Sequence, residues 1–399
     1  MAENREKLVP EIRFKGFTDA WVQRKLGDVA NVFDGVHQTP KYSDSGIKFV
    51  SVENIRNLTG TNKFITVEDY NSQFNNKAEI GDIFMTRITA GIIGETAIVE
   101  SDEDFAYYVS LALIKLRDGM SSEFINYCIN ANSFKNELNK RIIHTAFPKK
   151  INLNEIGKCG VIYPSVIEQQ KIGSFFRTLD KAITLYRRKL GFLQVIKNGY
   201  LQQMFPQPGE SVPKLRFSDF SDTWVRRELH EVVDFFNEKR IPIDAALRTF
   251  GEYPYYGSTG IIDYVHSYIF DGEYVLLAED GANIINRSSP IAYLTQGKFW
   301  VNNHAHIMRM KNGDNRFLLQ LLEKQNYVSL NTGTAQPKLN GEVVKKMMLV
   351  FPQKEEQTAI GTFFSALDNA ITLHKRKLEF LHELKNGYLQ RMFPRLMEH

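Results

Sequence analysis

The feature that most constrains this chain is a partial internal repeat. Residues 10–26, PEIRFKGFTDAWVQRKL, return as residues 213–229, PKLRFSDFSDTWVRREL, with nine of 17 positions identical. Residues 164–206 return as residues 352–394, with 27 of 43 positions identical. The stretches between these segments hardly match. The repeat therefore predicts two units built on matching supports, with intervening parts that differ.

The two copies of the longer segment predict helices. Their apolar residues recur in alternating steps of four and three, which is typical of a heptad seam that must be buried against another helix. Lys197 and Lys385 interrupt this seam, and Gly199 and Gly387 predict close packing or a bend. We expect each helix to pair with its own copy, although packing against its own domain is the alternative. The central seam residues are Leu179, Ile183, Tyr186, Leu190 and Leu193, with Leu367, Ile371, His374, Leu378 and Leu381 in the copy.

The intervening parts predict short strands followed by one helix each. In the first part we expect strands at 47–52, 82–86 and 111–116 and a helix at 121–138. In the second part we expect strands at 273–278, 291–295 and 305–310 and a helix near 314–326. The order of elements agrees while the side chains differ, which is what two related scaffolds with different recognition surfaces would show.

Composition excludes several classes of protein. The 399 residues include two cysteines, Cys128 and Cys159, which is too few for a disulfide framework or a four-cysteine metal site. The first 14 residues have no apolar core of a signal peptide, and no apolar run approaches the ~20 residues of a membrane span. We therefore expect a cytoplasmic protein. The net charge of +4 neither requires nor excludes nucleic acid.

The sequence contains few motifs of catalysis. It has neither a GxxxxGK[ST] phosphate loop nor a glycine-rich nucleotide fingerprint. His304 and His306 would share one face if they lay on a strand, but further metal ligands do not occur at the usual spacing. Asp280, which precedes a glycine, is more typical of a turn than of a catalytic site. We therefore predict a chain without catalytic residues, bound metal or cofactor of its own.

Three polar loops are the candidates for nucleic-acid contact. Gln, Thr, Ser and Lys side chains can bond to base edges or phosphates, and tyrosine offers a flat face with a hydroxyl. Ordinary solvent-exposed loops are the alternative interpretation. The candidates are His37, Gln38, Thr39, Lys41 and Tyr42 in the first loop, Tyr255, Tyr256, Ser258 and Thr259 in the second, and Thr334, Gln336 and Lys338 in the third, with Lys149 in its counterpart and Arg87 as a single basic residue facing phosphate or a carboxylate.

The arrangement resembles the specificity subunit of type I restriction–modification systems. The residues that carry the resemblance are the paired RF–x₂–F–x–D–x–WV entries, the YP–x₃–EQQKIGSFF and FP–x₃–EQTAIGTFF helix starts, and the twin KNGYLQ–x–MFP ends. The segments DGVHQTPKY and PYYGSTGIIDY also look like target-recognition sequences of that family. The resemblance covers the chain essentially from end to end.

This resemblance implies an α+β fold, in which two α/β target-recognition domains are joined by two long helices that form an antiparallel coiled coil with a pseudo-two-fold internal repeat. The expected segments are 1–163 and 207–351 for the recognition domains, 164–206 for the central helix and 352–399 for the distal helix. Each domain would read one half of a split, asymmetric target in double-stranded DNA, while the helices set the gap.

The resemblance also implies partners. The helices would dock two modification subunits, which bring S-adenosylmethionine and methyl transfer, and restriction subunits with ATP and magnesium would join them. The alternatives are a stand-alone DNA-processing enzyme such as a nuclease and a coiled-coil scaffold without DNA contact.

Overall fold

The structure, a computed structural model, describes residues 8–396. The ends of the predicted first domain and distal helix, residues 1–7 and 397–399, lie outside the described residues. The chain divides into two compact units, the first containing residues 8–186 and 377–396 and the second containing residues 187–376. Each unit thus combines one sheet domain with the first half of one long helix and the second half of the other. The predicted boundaries follow the chain, whereas the contacts divide both long helices between the units, so those boundaries stay a prediction.

The first unit contains a main sheet of four strands and a second sheet of three. The main sheet is antiparallel, in the order Ala30–Asp34, Leu111–Leu116, Ile83–Thr86 and Thr96–Ile98. The second sheet is mixed, in the order Phe64–Ile65, Ile47–Val50 and Phe105–Tyr107. Two smaller pairs join Val22–Lys25 to Gly160–Tyr163 and Ile88–Thr89 to Lys149–Lys150. The α-helices are Leu26–Val29, Val67–Gln73, Ser122–Asn130, Asn132–Arg141 and Leu153–Gly157, and two single 3₁₀ turns are Val52–Asn54 and Leu58–Gly60.

The second unit repeats this plan. Its main sheet has the order Val233–Phe235, Ala305–Met310, Tyr274–Ala278 and Ala292–Thr295, again antiparallel. Its second sheet has the order Gly260–Val265, Tyr253–Gly257, Lys298–Val301 and Phe270–Asp271. Val225–Glu228 pairs with Met348–Phe351. The α-helices are Leu229–Val232, Asn283–Asn286, Asn315–Lys324 and Gly341–Lys345, and the 3₁₀ turns are Asn237–Lys239, Ala245–Leu247 and Val328–Leu330.

Alternation along the main sheets explains why each unit has two apolar cores. In the first unit Ile83 and Met85 face a core shared with the helices, while Phe84 between them faces the second sheet. In the second unit Val275 and Leu277 face the helical core and Leu276 faces the second sheet. Because successive side chains of a strand point to opposite faces, an apolar strand buried on both sides joins three layers.

The repeated sequence segments make the same contacts in both units. Arg13 donates to both carboxylate oxygens of Glu168 at 2.7 and 2.8 Å, and in the second unit Arg216 contacts Glu356 at the same two distances. Both glutamates are buried, so a bidentate arginine is the partner that best satisfies them. The repeated RF and EQ motifs are thus the two sides of one junction between the entry segment and the long helix.

Each unit also shows how the long helices, Val166–Gln203 and Lys354–Arg391, pair. In the first unit Phe175 meets Tyr388 with ring centroids 5.1 Å apart, and Asp180 meets Lys385. In the second unit Lys197 meets Asp368 and Tyr200 meets Phe363. In both units the residue number rises along one helix as it falls along the other, which is antiparallel pairing.

The predicted seam residues differ in burial. Leu179, Ile183 and Leu381 are buried in the helical core of the first unit, with Tyr186 and Leu378 half-buried beside them. In the second unit Leu190, Leu193, Leu367, Ile371 and His374 are all half-buried. The seam is therefore best covered in its first-unit half.

The two lysines that interrupt the heptad pattern have specific partners. Lys385 donates to Asp180 at 2.6 Å, and Lys197 donates to Asp368 at 2.6 Å, in each case from one long helix to the other. Both lysine side chains are partly buried, at 24% and 20% exposed. The repeat therefore places the same ion pair once in each unit.

Two sequence expectations are corrected. A Cβ added at Gly199 or Gly387 would meet no atom within 4 Å, so of the two alternatives expected there, close packing is absent from the described structure and a bend stays a prediction. The single helix expected at 121–138 is two helices, because Ala131 adopts an extended conformation with φ −73° and ψ 153°. The other expected strands and helices are present within a few residues of their predicted bounds. The α+β class with two related domains on two long antiparallel helices is confirmed.

Candidate nucleic-acid interface

Three segments of the first unit meet at Arg87, which directly follows the strand Ile83–Thr86. Its Nε donates to the Ile151 carbonyl at 3.2 Å and its Nη1 donates to the Val109 carbonyl at 3.1 Å. Nη1 also lies 3.5 Å from Asp34 Oδ2. Arg87 is only 7% exposed, so it supports the loops from beneath and faces a carboxylate rather than solvent. Burial lowers the pKa of Arg87, and the nearby Asp34 opposes that shift.

The first candidate loop begins at Asp34. Gly35 lies so close to Tyr107 that an added Cβ would be 2.0 Å from the Tyr107 carbonyl oxygen, which only glycine permits. Val36 then donates to that carbonyl at 3.1 Å. His37 Nε2 lies 2.9 Å from Asp34 Oδ2, although the His37 side chain is 72% exposed. This part of the loop is therefore held at its base and open at its surface.

The rest of that loop presents polar groups to solvent. Gln38, Thr39 and Lys41 are exposed. Tyr42 is 41% exposed, with its ring edge-on to Phe49 at 5.6 Å, so one side of the ring is packed. The exposed groups have the donors and acceptors that base edges and phosphates require.

A basic segment that precedes Ile151 is linked to the first loop through Arg87. Lys149 and Lys150 are exposed and pair with Thr89 and Ile88. Ile151 donates its amide to the Arg87 carbonyl at 3.0 Å, as Leu339 does to the Glu279 carbonyl at 2.7 Å in the second unit. These matching bonds make Lys150, rather than the predicted Lys149, the structural counterpart of Lys338.

In the second unit Glu279 occupies the position of Arg87. It follows the strand Tyr274–Ala278 and its carboxylate accepts from Arg240 Nη1 at 2.6 Å. Lys338 Nζ lies 3.4 Å away and His306 Nδ1 lies 3.6 Å away. Burial alone would raise the pKa of Glu279, but the hydrogen bond from Arg240 and the nearby cations outweigh it and lower that pKa.

The two histidines of the second unit have different surroundings. His304 precedes the strand Ala305–Met310 and lies 2.6 Å from Asp280 Oδ2, whereas His306 is on the strand and 1% exposed. They therefore do not share a strand face. His306 Nε2 contacts the Leu339 carbonyl at 2.8 Å, and burial is the main cause that lowers its pKa. Among residues 8–396, no group of three or more His, Cys, Asp or Glu residues could hold a metal ion.

The predicted tyrosine loop is divided between core and surface. Tyr255 is fully buried, and its hydroxyl accepts the Ile243 amide at 3.0 Å, so it supports a neighbouring loop from below. Tyr256 is half-buried, and burial raises its pKa. Ser258 is half-buried and Thr259 exposed at the turn of the hairpin that pairs Gly257 with Gly260. In this arrangement Thr259 is the most accessible of the four candidates.

The third candidate loop is closed by Asn331 and exposes its predicted residues. Asn331 Oδ1 accepts the amides of Gly333 at 3.0 Å and Lys338 at 2.8 Å. Thr334 and Gln336 are exposed, and the Lys338 side chain is 51% exposed. A fixed base with an exposed polar tip is suited to contacting a nucleic acid.

The structure also reveals a loop that the sequence interpretation missed. Residues 236–250 follow the strand Val233–Phe235, which has the position in its sheet that Ala30–Asp34 has in the first unit. This loop is therefore the counterpart of the DGVHQTPKY loop, whereas the tyrosine hairpin is the counterpart of Ile47–Val50. It contains exposed Lys239 and half-buried Arg248. A sequence signal existed, since Asp34 and Asn237 each lie eight residues after the matching Leu26 and Leu229.

No helix among the described residues 8–396 is long and apolar enough to cross a membrane. Both cysteines are buried, which raises the pKa of Cys128 and of Cys159 to about 12.

Comparisons with known proteins agree with this architecture. A family model described as "Type I restriction modification DNA specificity domain" matches residues 18–193 and again residues 221–383. A putative type I restriction enzyme specificity subunit of Haemophilus influenzae is 38% identical over 143 residues, or 35% of this chain and 36% of that protein. A putative type I specificity subunit of Mycoplasma pneumoniae is 23% identical over 157 residues, or 38% of this chain and 42% of that protein.

These alignments span less than half the length of the curated relatives. The likeness in fold extends further: the crystal structure of the S subunit of a type I restriction–modification system from M. genitalium matches 98% of this chain and 100% of that chain, with a TM-score of 0.71 and 14% identity. Because the family model matches in two places that together cover most of the sequence, the chain belongs to the type I restriction modification DNA specificity family.

Proposed function

We propose that this protein is the sequence-specific DNA-binding specificity subunit of a type I restriction–modification complex. Each unit reads one half of a bipartite, asymmetric target in double-stranded DNA. The observation that carries this proposal is that two sheets of the same strand order present loops of different sequence at equivalent positions. Equivalent supports favour two similar docking geometries, and unlike loops favour two different half-sites.

The proposed reading surface consists of the exposed loop residues of each unit. Exposed lysines would contact phosphates, namely Lys41, Lys149 and Lys150 in the first unit and Lys239 and Lys338 in the second. Gln38, Thr39, Thr334 and Gln336 would contact base edges, because their donors and acceptors are free to match the pattern of the major groove. Arg87 and Tyr255 would act from beneath.

The chemistry belongs to partners in this proposal. Two modification subunits would dock on the long helices and supply S-adenosylmethionine-dependent methyl transfer to a flipped base. Restriction subunits would bring ATP-dependent and magnesium-dependent cleavage. The chain itself would carry no catalytic residue and no cofactor, and its helices would set the gap between the half-sites.

Selection of bound duplexes from a random DNA library tests this function, because such a selection finds the target sequence by itself. The full chain is assembled with its modification subunits, and bound DNA is sequenced. We expect two unlike short motifs separated by a constant number of unspecified base pairs. One contiguous motif, or enrichment of none, would contradict the proposal. Methylation or cleavage by the purified chain alone, with S-adenosylmethionine, ATP and magnesium present, would favour the enzyme alternative.

A further inference from the structure

A charged residue with little side-chain exposure lies at the same position under the candidate loops of each unit, and the two residues have opposite charge. Arg87 and Glu279 are equivalent, because each follows the strand that is third in the spatial order of its main sheet. The Arg87 carbonyl accepts an amide from the 143–151 segment, and the Glu279 carbonyl accepts one from the 331–339 segment. The Arg87 side chain is 9% exposed and the Glu279 side chain 13% exposed. Charged side chains are rarely buried to this extent unless they are paired.

The partners of each charge come from the candidate loops. Arg87 reaches the Ile151 carbonyl on one loop and Asp34 at the start of another, and Asp34 in turn contacts His37. A polar path thus runs from the buried guanidinium to an exposed histidine. Loss of the guanidinium would leave the Ile151 and Val109 carbonyls without that donor and would remove the positive charge 3.5 Å from Asp34.

In the second unit the polarity is reversed. Glu279 accepts from Arg240, whose Nε also donates to the Asn237 carbonyl at 2.9 Å and whose Nη1 donates to the Ala305 carbonyl at 2.8 Å. The same carboxylate faces Lys338 from the 331–339 loop. Glu279 therefore connects the 236–250 loop to the 331–339 loop.

We infer that Arg87 and Glu279 are positioning residues, here called anchors, that hold the DNA-reading loops of their own unit. Because the two anchors have opposite charge, each set of loops is compatible only with the anchor of its own unit. A loop carrying Asp34 would place a carboxylate against Glu279, and a loop carrying Arg240 would place a guanidinium against Arg87. Like charges in a partly buried site repel strongly. Exchange of loops between the units therefore requires exchange of the anchor as well. The expected effect on DNA discrimination rests on the proposed function, whereas the expected effect on how well the loops are ordered does not.

The test uses the full chain assembled with its modification subunits. Arg87→Met removes the charge at similar length, and Arg87→Lys keeps the charge. Glu279→Gln is the near-isosteric change in the second unit. The matched controls lie at the other end of the same strands: Asp82→Asn, where Asp82 pairs with Lys115 at 2.7 Å, and Glu273→Gln, where Glu273 accepts from Asn315 at 3.0 Å.

Two readouts are measured for each variant. Backbone amide exchange is followed at Val36 and Ile151 in the first unit and at Leu339 in the second, because these amides belong to the loop segments and donate to carbonyls outside them. Base preference is measured separately at the two half-sites by library selection. In Arg87→Met we expect faster exchange and a roughly 10-fold loss of discrimination at one half-site, equivalent to one lost base contact. Arg87→Lys should restore most of that discrimination, and Glu279→Gln should affect only the other half-site.

Unchanged exchange in Arg87→Met and Glu279→Gln would overturn the inference, because the loops would be held without their anchors. An equal loss of base discrimination at both half-sites, or the same loss in the two control variants, would also overturn the inference, since the effect would then be general destabilisation. If the unmodified complex selects no DNA motif, the proposed function fails, while the exchange measurement still decides whether the anchors order the loops.

Discussion

Lys385 on the second long helix donates to Asp180 on the first at 2.6 Å, and Asp180 also accepts from the Tyr127 hydroxyl at 2.7 Å. The second unit has the reciprocal pair, Lys197 with Asp368, where Gln320 donates to the same carboxylate at 2.9 Å. Each pair therefore joins both long helices and a helix of its sheet domain. A polar group within an apolar seam is a recognised way of fixing helix register, because a shifted register would leave it without a partner.

Replacing Lys385 with methionine tests this role. Asp180 is 39% exposed and keeps its bond to Tyr127, so we expect a modest loss of about 1 kcal/mol or less in unfolding free energy. Lys385→Met combined with Asp180→Asn should recover stability, because both charges are then removed together and the asparagine oxygen can still accept from the Tyr127 hydroxyl. Thermal unfolding of the full chain measures both, and Lys181→Met, at an exposed position of the first long helix, is the control. A single variant as stable as the control would show that the ion pair contributes nothing.

Four glycines of the long helices form a matched set. A Cβ at Gly173 would lie 2.7 Å from Glu123 Cβ, and one at Gly361 would lie 2.9 Å from the Phe317 backbone nitrogen. We expect Gly173→Ala and Gly361→Ala to destabilise the protein by ~1–3 kcal/mol, because the helix must move away from its neighbour. An added Cβ at Gly199 or Gly387 meets no atom within 4 Å, so Gly199→Ala and Gly387→Ala should stabilise the protein by ~0.5–1 kcal/mol through the higher helix propensity of alanine. Denaturant unfolding compares the four, and the same sign in both pairs would contradict the account.

His306 predicts a dependence of stability on pH. Its buried ring faces Glu279, Arg240, Lys338 and Asn237, and burial holds its pKa below the ordinary 6.5. As pH falls through 6.5 the unfolded chain binds a proton that the folded chain does not yet bind. Stability is therefore lost below about pH 6.5 until the lower folded pKa is passed.

Glu279 also makes stability fall as the pH falls, but at lower pH than His306 does. Its pKa in the folded protein lies below the ordinary 4.5, so its contribution to stability is present above pH 4.5 and is lost as the pH falls through the folded pKa. Amide exchange of the second unit between about pH 7.5 and 5.5, corrected for intrinsic rates, measures the stability change. His306→Gln should flatten this dependence of stability on pH, whereas His266→Gln, at an exposed position, should leave the dependence unchanged. An equally steep dependence in His306→Gln would exclude this histidine as the cause.

The long helices predict a way to change the target gap. A heptad inserted after Leu190 and another after Leu378 keep the seam in phase and add ~10 Å, or about three base pairs. We expect the selected gap to lengthen by up to that amount, with both half-sites kept and affinity lowered, because one half-site also rotates around the duplex. Insertions of two residues should disrupt assembly, since they turn the apolar stripe away from its partner. A constant gap in an active heptad variant would show that the helices do not set it.

The scaffold could be predicted from the sequence and the anchors could not. The repeat and the heptad pattern act locally along the chain, so they predicted both long helices and the matching order of strands. The partners of Lys197 and Lys385 were not predictable, because Asp368 and Asp180 are far away in sequence. Arg87 and Glu279 share neither type nor charge, and their equivalence appears only when the strands are paired. The loop at 236–250 was missed because its composition differs from that of its counterpart, although its distance from Leu229 marks its place.

The most direct test of the central claim, that each unit reads its own half-site, exchanges one recognition segment. Residues 30–150 are replaced by the matching segment of a relative with a different target, which carries its own anchor and loops together. Bound DNA is then selected by the assembled complex before and after the exchange. We expect one half-site to change completely while the other half-site and the gap stay the same. A change in both half-sites, or in neither, would show that the units do not read separate half-sites.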